Sequence, residues 1–164
     1  MGYNGKILDA CGLVEMDLTE ISVVAMSGSG PNVCGHLILF MPRGGGYYFH
    51  VAEIIGYPYY MNGAGFERYK KENKKTELRR LHMTLPDPRA AEAYLEAVMS
   101  RQWAWGALPH NCVAFCEAVI RAGGSEWGSY TNCPALATDV PQQTISRFLN
   151  QMEWEIRRAY GVVY

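Results

Sequence analysis

The run Asn111-Cys112-Val113-Ala114-Phe115-Cys116 sets a thiol where a helix should begin, a position that primes cysteine for nucleophilic attack. Val113, Phe115, Cys116, Val119 and Ile120 recur at helical spacing, and Gly123-Gly124 supplies a stop after Arg121. Asn111 is then the natural N-cap, with Cys112 in the first turn. Unpaired N–H groups and the positive dipole end of such a helix lower a thiol's pKa, and the same N–H groups can hold an oxyanion. The chemistry this suits is attack on an acyl carbonyl, with a thioester as the intermediate. It requires a base, and a group to orient that base.

The chain has four histidines, His36, His50, His82 and His110. His36 lies in Gly35-His36-Leu37-Ile38-Leu39-Phe40-Met41, an apolar run bounded by Gly30-Pro31 and by Pro42-Arg43-Gly44-Gly45-Gly46, which reads as a buried strand and a tight reversal. His50 lies in Tyr47-Tyr48-Phe49-His50-Val51-Ala52-Glu53-Ile54, again rich in strand formers. The two runs predict a hairpin turning at Gly44 to Gly46. Their separation, 50 − 36 = 14, is compatible with both imidazoles on neighbouring strands and one face. His82 reads as a strand residue without a partner, and His110 as a loop residue beside the cap. Each of these residues also has a plainer reading, since cysteine on an apolar helix face and histidine in a strand are often core residues.

The elements that must position this set follow the hydrophobic pattern. Ile21 to Met26 is a first strand ended by Ser27-Gly28-Ser29-Gly30-Pro31, and Lys75 to Leu85 holds a later strand ending at Pro86. Asp87-Pro88 opens a helix with Ala91, Tyr94, Leu95 and Val98 as its inner stripe. A final helix begins near Asp139 and Pro141, with Ile145, Phe148, Leu149, Met152 and Ile156 on its apolar face. The expected fold is α+β over residues 1–164 as one domain, a small antiparallel sheet packed against helices with the Cys112 helix crossing it. Trp103, Trp105, Trp127 and Tyr48 are candidates for cleft walls.

A length of 164 residues, 49% of them hydrophobic, suits one sizeable core rather than two. A net charge of −1 gives no reason to expect a nucleic-acid partner. The segment Glu67 to Arg80 carries a local surplus of 7 − 3 = 4 positive charges, a solvated face or a surface for an anion. Five scattered cysteines and the absence of a signal-like start predict synthesis and folding in a reducing compartment, without a signal peptide. No apolar run is long enough to span a membrane. Cys112 and Cys116 with Cys133 and His110 match no standard zinc spacing, so neither a metal nor another cofactor is expected.

The order Gly35-His36-Leu37, Phe49-His50-Val51, Asn111-Cys112-Val113-Ala114-Phe115 resembles the circularly permuted papain-like cysteine hydrolases, over roughly residues 33–124. That group includes NlpC-type peptidoglycan hydrolases and the lecithin retinol acyltransferase type. The resemblance implies a permuted papain-like fold in which Cys112 is the nucleophile, His36 the general base and His50 its orienting partner, with another polar group such as Asn132 as the alternative third member. The acyltransferase type often carries Glu-His-Phe after the Asn-Cys pair, where this chain has Val113-Ala114-Phe115. By resemblance the first choice of substrate is a peptide or amide bond of bacterial peptidoglycan. The chain then looks like a delivered antibacterial effector toxin, which a secretion system would carry to another cell or its periplasm and an immunity protein would neutralise. A lipid or protein acyl hydrolase or acyltransferase is the second reading. A non-catalytic binding or adaptor module on the same fold is the third.

Overall fold

A run such as Ile21 to Met26, apolar at nearly every position, is buried along its whole length only where the sheet it enters is covered on both faces. The computed structural model describes residues 2–8, 15–28, 34–53, 55–104 and 111–126, and it shows that arrangement. Its elements in chain order are β1 (Lys6–Ile7), β2 (Glu20–Met26), β3 (His36–Met41), β4 (Tyr47–His50), β5 (Ile55–Gly56), β6 (Tyr59–Met61), α1 (Gly63–Glu72), β7 (Glu77–Thr84), α2 (Pro88–Met99), β8 (Trp103–Ala104) and α3 (Cys112–Ala122). Six strands form one antiparallel sheet in the order β1-β6-β4-β3-β2-β7, and β5 pairs with β8 in a separate ribbon. The molecule is therefore α+β, as the pattern predicts, with the predicted first strand, hairpin, later strand and Asp87-capped helix all present. The expected C-terminal helix lies outside the described residues. Among the described residues no helix is long and apolar enough to cross a membrane.

Strand alternation sorts the core into two layers. Val23, Ala25, Leu37, Leu39 and Phe49 face α2 and α3. Val24, Met26, Ile38, Tyr48 and Met61 face Phe66 and Tyr69 of α1. Helix α1 is the element that hydrophobic periodicity does not announce, because Gly63-Ala64-Gly65 opens it and charged residues fill most of its outer surface. What holds it is tertiary: Asn62 caps Gly65 N–H at 2.9 Å, and Phe66 stacks flat on Tyr48 with centroids 4.0 Å apart.

Two glycine-dependent turns place the histidines. Gly44, Gly45 and Gly46 adopt φ of +67°, +112° and +70°, values that L side chains rarely reach, and they close the β3–β4 hairpin at the predicted point. Gly35, at φ +78°, turns the chain into β3 immediately before His36. The register pairs Leu39 with Phe49 and Met41 with Tyr47. Extending it sets Ile38 opposite His50, so His36 and His50 are diagonal neighbours on one face of the sheet.

Candidate active site

His36 and His50 are both buried, and their rings meet edge to face with Nε2 of His36 2.8 Å from Nδ1 of His50. The second nitrogen of His50, Nε2, lies 2.7 Å from the backbone oxygen of Asn4. A carbonyl oxygen only accepts, so His50 Nε2 carries its proton and, in the neutral ring, Nδ1 is an acceptor. His36 Nε2–H must then donate to it, which leaves the lone pair of the neutral His36 on Nδ1. The chain of bonds thereby selects the tautomer in which His36 can take a proton. Burial in the first place, then His50 and Lys75, depress the His36 pKa well below its ordinary value. Burial lowers that of His50 to about 4, opposed by its bond to Asn4. Both rings are neutral at pH 7.

Asn4 is a member of this site that nothing in the local sequence announces. It is held from both sides: Tyr3 N–H donates to Glu72 at 2.8 Å and Tyr3 O accepts from Asn73 Nδ2 at 2.8 Å, while Lys6 pairs with Tyr60 in β1. Tyr69 of α1 is the second unannounced member. Its buried ring lies 5.3 Å from that of His50 and 6.4 Å from that of His36, and burial followed by the Cys112 charge raises its phenol pKa.

Cys112 opens α3 as predicted, with Asn111 as N-cap. The cap, however, consumes N–H groups expected to serve the sulfur and the oxyanion. Asn111 Oδ1 accepts from Val113 N–H at 2.9 Å and from Ala114 N–H at 3.0 Å. The thiol itself accepts from Leu37 N–H at 3.4 Å, which sets it at the start of β3 against the residue that follows His36, and among the described residues it makes no hydrogen bond to either imidazole. The expected low thiol pKa is likewise corrected. Burial raises it to about 11, outweighing the N–H groups of Leu37, Val113 and Cys112 and the charge of Lys75. Cys112 therefore rests as the thiol and His36 as the neutral imidazole. Labelling of Cys112 by iodoacetamide should therefore climb about tenfold per pH unit between pH 7 and pH 10, where thiolate is the minor form. A plateau below pH 8 in the rate profile, read by peptide mass mapping, would show instead that the helix end wins over burial.

No family model, curated protein or solved structure matches the chain. Its chemistry has to be read from these side chains. Cys116, one turn on, is fully buried, and burial pushes its thiol pKa well up, which makes it a packing residue. Trp103 is buried edge-on to Phe115 at 5.6 Å, and Tyr48 is buried between Phe40 and Phe66. Both candidates for cleft walls are thus core residues in the structure. Trp105, Trp127, His110, Asn132 and Cys133 lie outside the described residues. His82, expected to have no partner, has one: Nδ1 is 2.7 Å from Ser22 Oγ across the β2–β7 pair, away from the thiol. Cys34 is disulfide-bonded, while Cys112 and Cys116 are free.

Proposed function

We propose that the chain is a cysteine-dependent hydrolase that cleaves an amide bond of bacterial peptidoglycan through a Cys112 thioester. The observation that carries the reading is the buried relay from the Asn4 carbonyl through His50 to His36, which leaves one basic nitrogen on the strand that touches the thiol. Two imidazoles bonded in series, buried and without a carboxylate partner in the relay, are costly as packing alone, because each must be held in one tautomer and out of water.

In the proposed cycle His36 Nδ1 takes the Cys112 proton as sulfur bonds to the acyl carbon, and the carbonyl oxygen becomes an oxyanion. With Val113 and Ala114 N–H engaged by Asn111, the Cys112 N–H, which faces its own sulfur, is the backbone donor proposed for that oxygen. Collapse breaks the C–N bond, and the amine leaves with the proton from His36. Water then attacks the thioester, gives a proton to His36, and releases the carboxylic acid as the thiol is restored. The imidazolium formed on the way is stabilised by its bond to His50 Nδ1.

The peptidoglycan substrate rests on the resemblance to NlpC-type enzymes, and the Cys34 disulfide supports action outside the cytoplasm, as a delivered effector would have. An immunity protein belongs to the same proposal. The test is incubation of purified sacculi with the protein, followed by mass analysis of the soluble products. Release of fragments with one new amine and one new carboxyl end is expected; intact sacculi would sink the substrate assignment. The raised thiol pKa favours a second reading, a non-catalytic binding module on the same fold, and that reading gains if Cys112 labels no faster than Cys116 at any pH.

A further inference from the structure

Of the seven cations in Glu67 to Arg80, three are paired with the segment's three carboxylates where it folds. Arg68 pairs with Glu72 at 2.6 Å, Lys70 with Glu67 at 2.7 Å and Arg80 with Glu77 at 2.9 Å. Lys75 differs. Its Nζ donates to the backbone oxygen of Ser27 at 3.0 Å, and no carboxylate pairs with it among the described residues. A neutral carbonyl fixes an ammonium in place without cancelling its charge.

The position of that ammonium is set by several independent bonds. At the end of α1, Lys75 N–H donates to Lys70 O at 2.8 Å and Lys74 N–H to Lys71 O at 3.4 Å, the pattern of a helix closed by a left-handed residue. That residue is Lys74, at φ +52°, the non-glycine residue with positive φ among those described. The chain beyond is clamped to β2, with Ser27 N–H donating to Thr76 O at 2.8 Å and Thr76 N–H to Ser27 Oγ at 2.9 Å. Ser27 follows Met26, and Met26 is the cross-strand partner of His36. The ammonium therefore stands one residue beyond His36 at the end of the sheet where Leu37 holds the thiol. Its field is felt by both Cys112 and His36.

A cation there opposes an imidazolium on His36 while favouring negative charge at the sulfur. Its net use is greatest when the arriving substrate brings an anion of its own. We propose that Lys75 is a specificity residue for acyl substrates with a carboxylate close to the scissile carbonyl, as an acidic peptide presents. The inference rests on Cys112 being the nucleophile of the proposed hydrolase.

The test compares two alkylating probes at Cys112 of the full chain, anionic iodoacetate and neutral iodoacetamide. Both lose iodide to the same thiolate, so their rate ratio is independent of the thiol pKa. At pH 8 the iodoacetate to iodoacetamide ratio at Cys112 should exceed that of glutathione about fivefold, the effect of a partly solvated unit charge at a few ångströms. Lys75→Met and Lys75→Gln should return it to the glutathione value, and Lys75→Arg should keep it. Cys116, fully buried, stays unlabelled in any variant that is folded and so reports on folding in the same digest. If iodoacetamide labels Cys112 but the ratio matches glutathione or ignores Lys75→Met, the carboxylate subsite is wrong and the hydrolase reading stands. If iodoacetamide fails at Cys112 altogether, the nucleophile and the subsite fall together.

Discussion

Cys112→Ala should leave no measurable peptidoglycan cleavage, and His36→Ala should lower kcat/KM by about 10^2- to 10^4-fold, the range for losing a positioned general base. His50 separates orientation from bulk. His50→Leu removes the acceptor that holds His36 Nε2–H and should cost about 10^2-fold. In His50→Asn the side-chain oxygen lies close to where Nδ1 was and can still accept that proton, so this variant should keep most of what His50→Leu loses. Initial rates of soluble fragment release measure all four variants. If His50→Leu and His50→Asn fall equally, His50 is a packing residue and the relay has no part in turnover. If Cys112→Ala retains activity, the thioester mechanism is excluded.

Much of this site is legible in the chain because it rests on local rules. Three adjacent glycines can close a hairpin that few other sequences could, so His36 and His50 are expected on neighbouring strands, but that they share one face is decided by the β3–β4 register, which the sequence leaves open. The cap at Asn111 follows from residue type alone. The parts that are not legible are the non-local ones. Asn4 reaches His50 across 46 residues, through a segment tied down by Glu72 and Asn73. Lys75 is placed against Ser27 because Lys74 accepts a left-handed conformation that a lysine gives no reason to expect. The thiol pKa departs from expectation for a related reason. A cap can be read from one residue, but desolvation depends on everything that packs over it, and here burial outweighs the helix end.

Acid should begin to destabilise this protein above the pH at which its carboxylates titrate. His50 is held neutral in the folded state with its pKa lowered from 6.5 to about 4, and the unfolded chain binds a proton that the native one refuses between those values. Stability from this group is therefore fully present above about pH 6.5 and is lost as pH falls toward about 4. Between those limits each pH unit removes about 1.4 kcal/mol, so His50 alone should cost about 3 kcal/mol between pH 7 and pH 4.5, and His36, whose pKa is lowered in the same direction, adds to it. Urea titrations across that range measure the loss, and His50→Asn should remove the His50 share of it. A flat profile would mean that the imidazoles take up protons inside the folded protein. The same exclusion of water that makes the pair acid-labile keeps the Nδ1 lone pair of His36 unprotonated at neutral pH, the state that the proposed mechanism requires of its base.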